Sequence, residues 1–523
     1  MSMQPTSERT LSVEVLARVE GEGGLHLSLR NGKVDDVKLN IFEPPRFYEA
    51  FLRGRSMMEL PDLTARICGI CPVAYQFSAC MAIEDACGVT VPDSVHALRR
   101  LLYCGEWIES QTLHVYMLHA PDFMGYAGAI EMAKDFPAEV KRGLSMKKAG
   151  NELMTLVGGR SVHPVNTKVG GFYKMPSVAD MLALRPALVQ GLEDALETVR
   201  FTAGLEYPDF DRPYLYVSLR PETGYPIESG RIVTSRGDDW SVREFVEQVE
   251  EVHVEHSNAL HGVLDGEPYV VGPLARYSLN FDRLSPLAQQ AARDAGLGET
   301  CYNPFKSIIV RAVETVEAFH EAIRIIDSWV DGLPASVPVP PREGEGWGAT
   351  EAPRGLCFHR YKIDDSGMVT DAQIAPPTSQ NQPSIEGDLR ELATEWMWMS
   401  DEDLTLRAEV AIRNYDPCIS CSVHFLNLTV DRGCPARGRG GWWSVSGRPS
   451  AVTTRSGRPW RARSRDDWPT RRCRVSRWSN GTTRPRSSSC GPVARSAWCA
   501  TRCGRGRPRA RCTWCAPVRT SPR

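Results

Sequence analysis

No run of eighteen consecutive apolar residues occurs in the 523-residue chain, so a transmembrane helix is not expected. The N-terminal stretch MSMQPTSERT lacks the basic and apolar segments of a secretory leader. Together these absences predict a cytoplasmic protein with no membrane partner. Cysteines stay reduced there, and a C-x-x-C pair points to metal or redox chemistry instead of a disulfide framework. A third absence is regional. Residues 434–523 contain no Leu, Ile, Phe, Tyr, Met or Lys, yet hold 22 Arg, seven Trp, seven Cys and only two acids, Asp466 and Asp467. Without aliphatic residues beyond Val and Ala, that segment cannot bury enough apolar surface to offset the entropy of ordering it. Its charge of about +20 would ordinarily suggest nucleic acid. A G/C-rich coding sequence translated out of frame accounts better for the composition, so no nucleic-acid partner is expected. The Cys512/Cys515 pair is set aside as a decoy.

What remains reads as ordinary folded protein. Residues 1–433 carry about −22 of the overall −2, and the length allows two to four domains or one oversized one. Residues 1–10 are expected to be disordered. Alternating apolar and polar residues around Asn31-Gly32 predict a small antiparallel sheet over about 11–42. Helical periodicity follows near 74–87, 94–119, 138–157, 178–204, 240–261 and 305–332. The stretch LPASVPVPPREGEG, 333–346, reads as a long surface connection. A second strand region is expected at about 356–376 and a helix at about 386–411. The fold class is therefore α+β, a mainly helical core with small antiparallel β regions. No internal repeat is found beyond two short cysteine pairs.

Those pairs are ARICGICPVAY at 65–75 and YDPCISCSVH at 415–424. Four thiolates could make a structural zinc site, carry an iron–sulfur cluster, or hold a soft centre of nickel or iron. The flanks discriminate, because zinc ribbons surround such pairs with glycine and polar turn residues. Here Arg66 precedes the first pair and a helix follows it, while Asp416-Pro417 precedes the second.

Arg66-Ile67-Cys68-Gly69-Ile70-Cys71 and Asp416-Pro417-Cys418-Ile419-Ser420-Cys421-Ser422-Val423-His424 resemble the R-x-C-G-x-C and D-P-C-x-x-C-x-x-H elements of nickel–iron hydrogenase large subunits. The resemblance covers about 13–424 and implies that family's fold and activity. It implies that Cys68 and Cys418 are terminal nickel ligands. Cys71 and Cys421 would bridge nickel to an iron carrying carbon monoxide and cyanide. RVEGEGGL is similar to a family segment that makes Glu20 a proton shuttle; on its own, Glu20 could simply cap a hairpin. RFYEAFLRGR implies that Glu49 binds a second ion, magnesium or iron, together with His424; otherwise Glu49 is a solvated helix residue. EAPRG implies Arg354 over the iron's diatomic ligands, with Asp122 of HAPDFMG as its carboxylate partner, since an unpaired buried charge is strongly destabilising. IAPPTSQNQ implies Pro377 and Thr378 near a cyanide. GGRSVHPVNTKVGGF is also family-like, although His163 could be a packed core histidine.

Tyr75 stands where many family members have histidine, which suggests the cytosolic, NAD(P)-linked and sulfhydrogenase branch. Gln111 replaces a histidine expected in that branch. The branch implies an iron–sulfur small subunit, flavin- and NAD(P)-binding diaphorase subunits, nickel-insertion chaperones and a maturation endopeptidase that cuts after His424. Residues 425–433 would then be the extension removed on maturation. Read two bases later with G/C-rich codons, WWSVSGRPSAVTTRSG gives a string resembling the start of that endopeptidase, consistent with a frameshifted tail. Two rivals stand beside this: a complex I quinone-subunit-like scaffold, which lacks the four cysteines, and a non-catalytic zinc protein with four cysteine ligands.

Overall fold

The N-terminal sheet shows how local sequence sets the frame. A computed structural model describes residues 8–423. Strands β1 (Glu8–Val13), β2 (Gly23–Arg30) and β3 (Lys33–Ile41) pair antiparallel in that order. The β2–β3 turn closes on Arg30↔Lys33, with Asn31 and Gly32 at φ 54° and 71°, the double left-handed step that a two-residue hairpin needs. Pairing begins at Glu8↔Arg30, three residues earlier than the sequence suggested. Arg9 holds that end, pairing with Asp401 and donating to the Met397 carbonyl at 2.8 Å. Residues 8–10 are therefore strand, a correction to the expected disordered 1–10.

Helix α1 (Pro72–Cys87) starts on a proline in its first turn and stops at Gly88, φ 66°. It is followed by α2 (Asp93–Leu113), a π-helical turn at His114–His119, α3 (Pro137–Gly158), α4 (Val178–Ala203) and α5 (Ser307–Asp327). Nearly all of α1 is buried, because it lies between the other helices and a second sheet, β4 (Gly344–Ala352), β5 (Gly355–Ile363) and β6 (Val369–Ala375). The glycines of PREGEGWG belong to β4, not to a loop. A Cβ at Gly344, Gly346 or Gly348 would lie 2.6, 2.1 or 2.3 Å from the carbonyl oxygens of Ala86, Ala82 and Ser78. Alternate glycines thus strip one strand face so that α1 can rest on it.

Two helical expectations are corrected. Over 240–261 the helix covers only Val242–Gln248. The chain then forms a hairpin, Val249–Val252 against His261–Leu264. In the intervening loop Asn258 N donates to the Ile41 carbonyl and Ser257 Oγ accepts from Ala259 N, bonds that compete with a helix. Over 386–411 there are two helices, α6 (Pro377–Glu395) and α7 (Asp401–Arg413). Ser400 caps the second by accepting from Asp403 N, and Pro377 opens the first nine residues early. The structure has the expected α+β character. No described helix is long and apolar enough to cross a membrane.

Candidate metal centre

Cys68 follows a 3-10 turn at Ala65–Ile67, and Cys71 sits at the N-terminal boundary of α1. Between them the backbone folds back so that Ile70 N and Cys71 N point at Cys68 Sγ, at 3.3 and 3.4 Å. The second pair enters through Asp416, φ 50°, and a four-residue helix, Ile419–Ser422. The two pairs, 350 residues apart, meet: Cys68–Cys418 is 3.5 Å, Cys71–Cys421 3.8 Å and Cys418–Cys421 2.9 Å between sulfurs. One ligand atom from each of the four lies within 4.8 Å of the others, and all four residues are buried.

A bound cation would stabilise the deprotonated form of this cluster. Hydrogen bonds from Cys418, then Cys421 and Cys71, hold the Cys68 thiol well below its usual range. Burial pushes Cys418 and Cys421 up. Four thiolates in an apolar pocket need positive charge among them. Arg354, 2% exposed, supplies part of it. It donates to the Asp416 carbonyl at 2.8 Å and to Asp416 Oδ1 at 3.2 Å, while its Nη1 and Asp416 Oδ2 are buried with no protein partner. A soft donor set beside an unspent guanidinium donor fits a thiolate-bound transition-metal centre.

Of the other expected residues, Glu20 and Thr378 contact the second cysteine segment. Glu20 Oε2 accepts from Cys418 Sγ at 3.0 Å and from Ser420 N at 3.1 Å, so it faces the centre. Pro377 opens α6, and Thr378 Oγ1 accepts from Cys418 N at 2.9 Å. Glu49 is half-buried and accepts from Ile374 N at 2.8 Å; burial pushes its carboxyl up to about 7. His424 lies outside the described residues, as do 425–523. Tyr75 packs on the His359 ring at 5.6 Å, and Gln111 donates to Glu314 at 2.8 Å. His163 is half-buried and its Nδ1 is 2.7 Å from the Ala65 carbonyl, bracing the turn before Cys68.

Asp122 is not the partner of Arg354. It takes Arg413 Nε and Nη2 at 2.7 and 2.9 Å and also pairs with Arg18. Asp416, two residues before Cys418, holds Arg354 instead, through both its backbone carbonyl and its carboxylate. Two contributors escaped the sequence reading. Arg46 Nη2 donates to the Ile67 carbonyl at 2.7 Å and to the Ser420 carbonyl, bridging both cysteine segments. Its position in RFYEAFLRGR was the available signal. Glu106, fully buried, accepts from Val73 N at 2.7 Å and caps α1 just after Cys71; a mid-helix glutamate gave no signal.

The sequence profile of the nickel-dependent hydrogenases matches residues 46–142 and 253–424. Sulfhydrogenase 1 subunit alpha of Pyrococcus furiosus is 34% identical over 429 residues, covering 80% of this chain and 98% of that one. The NAD-reducing hydrogenase HoxS subunit beta of Cupriavidus necator is 27% identical, covering 80% and 95%. The crystal structure of an NAD+-reducing [NiFe]-hydrogenase in the H2-reduced state superposes with a TM-score of 0.73 at 25% identity, covering 80% of this chain and 99% of that one. With its cysteine pairs converged and these relatives matched over nearly their full length, the chain belongs to the nickel-dependent hydrogenase family, oxidoreductases acting on H2.

Proposed function

We propose that the chain is the catalytic subunit of a cytoplasmic complex that reversibly oxidises H2 and exchanges electrons with NAD(P) through partner subunits. The observation carrying this is the convergence of four cysteine sulfurs within 4.8 Å, with Glu20 3.0 Å from one of them. Cys68 and Cys418 would hold nickel terminally. Cys71 and Cys421 would bridge it to an iron bearing carbon monoxide and cyanide. When bound, that pair supplies the redox and Lewis-acid chemistry for splitting H2. Glu20 takes the proton released at Cys418 Sγ, and its bond from Ser420 N keeps the accepting oxygen aimed there. Arg354 Nη1 is a donor for the diatomic ligands, and Thr378 fixes the backbone of Cys418 beside Pro377. Glu49 and His424 would hold magnesium or a second iron.

Electrons would leave to another chain. Among the described residues the remaining cysteines, Cys80, Cys87, Cys104, Cys301 and Cys357, form no second metal-binding group. An iron–sulfur small subunit and flavin- and NAD(P)-binding diaphorase subunits fill that need, as the NAD-reducing relatives suggest. Nickel-insertion chaperones and an endopeptidase cutting after His424 would mature the chain.

The test is the chain co-expressed with its maturation machinery. It should show nickel and iron, infrared bands of bound carbon monoxide and cyanide, and an intact mass ending at His424. Glu20→Gln should keep both metals and lose at least about 100-fold in H2-dependent dye reduction and H/D exchange. Zinc in place of nickel and iron, or full activity in Glu20→Gln, would sink the proposal.

A further inference from the structure

A second cluster of ligating side chains lies outside the cysteine centre. His256, in the loop of the Val249–Leu264 hairpin, has Nε2 2.7 Å from Glu386 Oε1 on α6. His261 opens the hairpin's second strand, with its ring 5.7 Å from that of His256. One ligand atom from each of the three lies within 4.8 Å of the others; His261 is buried and the other two are half-buried. One turn back along α6, Gln382 Oε1 is 3.1 Å from His261 Nε2 and accepts from Ser257 Oγ at 3.2 Å. The Gln382 Nε2 is buried with no partner, so this amide presents its oxygen to the cluster at the expense of its other end.

We propose that His256, His261 and Glu386 bind a divalent ion of the zinc class, with Gln382 Oε1 as fourth ligand. Two imidazoles and a carboxylate suit zinc, whereas magnesium and calcium prefer all-oxygen sites. A tetrahedral ion about 2.0–2.1 Å from each donor spaces neighbouring donors roughly 3.3 Å apart, within side-chain adjustment of the present arrangement. Leu39 N donates to Glu386 Oε1 at 2.8 Å and orients the carboxylate.

The ion staples the hairpin loop onto α6. That loop also reaches the second cysteine segment. Asn258 N donates to the Ile41 carbonyl at 2.7 Å, Asn258 Nδ2 donates to the Glu43 carbonyl at 3.2 Å, and Ala259 packs with Ile419 and Val423. Zinc at this site therefore braces the wall behind Cys418 and Cys421 without sharing a ligand with them.

The experiment is zinc binding to the full chain after chelation and gel filtration. Cys418→Ser serves as a second background, because an immature cysteine centre also takes zinc. In both backgrounds His261→Gln and Glu386→Gln should each remove one equivalent of zinc or weaken it at least about tenfold. Zinc should raise the thermal midpoint of the parent chains and not of the variants. Glu386→Gln keeps an acceptor for Leu39 N, so it separates loss of the ion from loss of the fold. Unchanged stoichiometry and affinity in the variants, or no zinc on the Cys418→Ser parent, overturns the proposal and leaves an ordinary His256–Glu386 hydrogen bond.

Discussion

Arg46 ties the two cysteine segments together by donating to a backbone carbonyl of each. Replacing it with alanine leaves the Ile67 and Ser420 carbonyls short of a charged donor and frees the Arg46-held seam between them. We expect Arg46→Ala to cost about 2–4 kcal/mol in denaturant unfolding and to lower nickel content. A loss under about 0.5 kcal/mol with full nickel would show the bridge to be incidental. Asp122 teaches the complementary lesson. Its carboxylate and the Arg413 guanidinium are almost wholly excluded from solvent, so Asp122→Asn leaves a buried cation underpaired. A loss of about 3–5 kcal/mol is expected from that change, read in the same unfolding assay. At this scale the meeting of the motif cysteines, with Glu20 and Thr378 beside Cys418, was legible because short sequence windows fix their neighbours. Which arginine Asp122 meets was not legible, since Arg18 and Arg413 approach from opposite ends of the chain.

Elements add constraints that no window shows. The glycines of β4 read as loop because composition alone cannot tell a flexible turn from a strand face pressed on a helix. Gly346→Ala places a methyl where Ala82 O already sits, forcing β4 off α1. The expected cost is about 1–3 kcal/mol, with weakened metal retention because Cys71 begins α1. A variant with wild-type stability would mean the helix and strand are not closely apposed. A second element-level bond joins α2 to α5. Burial alone would raise the Glu321 carboxyl, but Arg324 and Arg100 hold it down to about 2. A depressed carboxylate stabilises the fold fully above its unfolded value near 4.5, and that stability is lost as pH falls toward about 2. Glu321→Gln should therefore remove roughly 1–3 kcal/mol at neutral pH and flatten the acid limb between those values. An unaltered slope there would show that the pair is not coupled to folding. Helices 74–87, 138–157 and 178–204 were legible from period alone. The 240–261 region was not, because its hairpin depends on pairing with residues a dozen positions ahead and on the carbonyl of Ile41.

At the scale of the molecule, the cysteine centre is a cross-link between chain segments 350 residues apart. Joining such ends in an unfolded chain costs about 5 kcal/mol in loop entropy, so the sulfurs are gathered by the fold and not by the metal. That is why the two motifs could be recognised in the sequence while the path between them, through α1 to α6, could not be traced from periodicity. Once ions bind all four sulfurs, they do to the unfolded state what a long-range disulfide does. The nickel- and iron-loaded chain should then exceed the metal-free chain by roughly 5 kcal/mol or more in urea unfolding, the sum of lost unfolded-state freedom and ligand linkage. Cys418→Ser cuts one strut of the cross-link, so nickel added during maturation should leave its urea midpoint close to that of the metal-free protein. If loaded and metal-free chains unfold at the same urea concentration, the metals are held by one cysteine pair only, and the convergence of the two pairs is not what retains them.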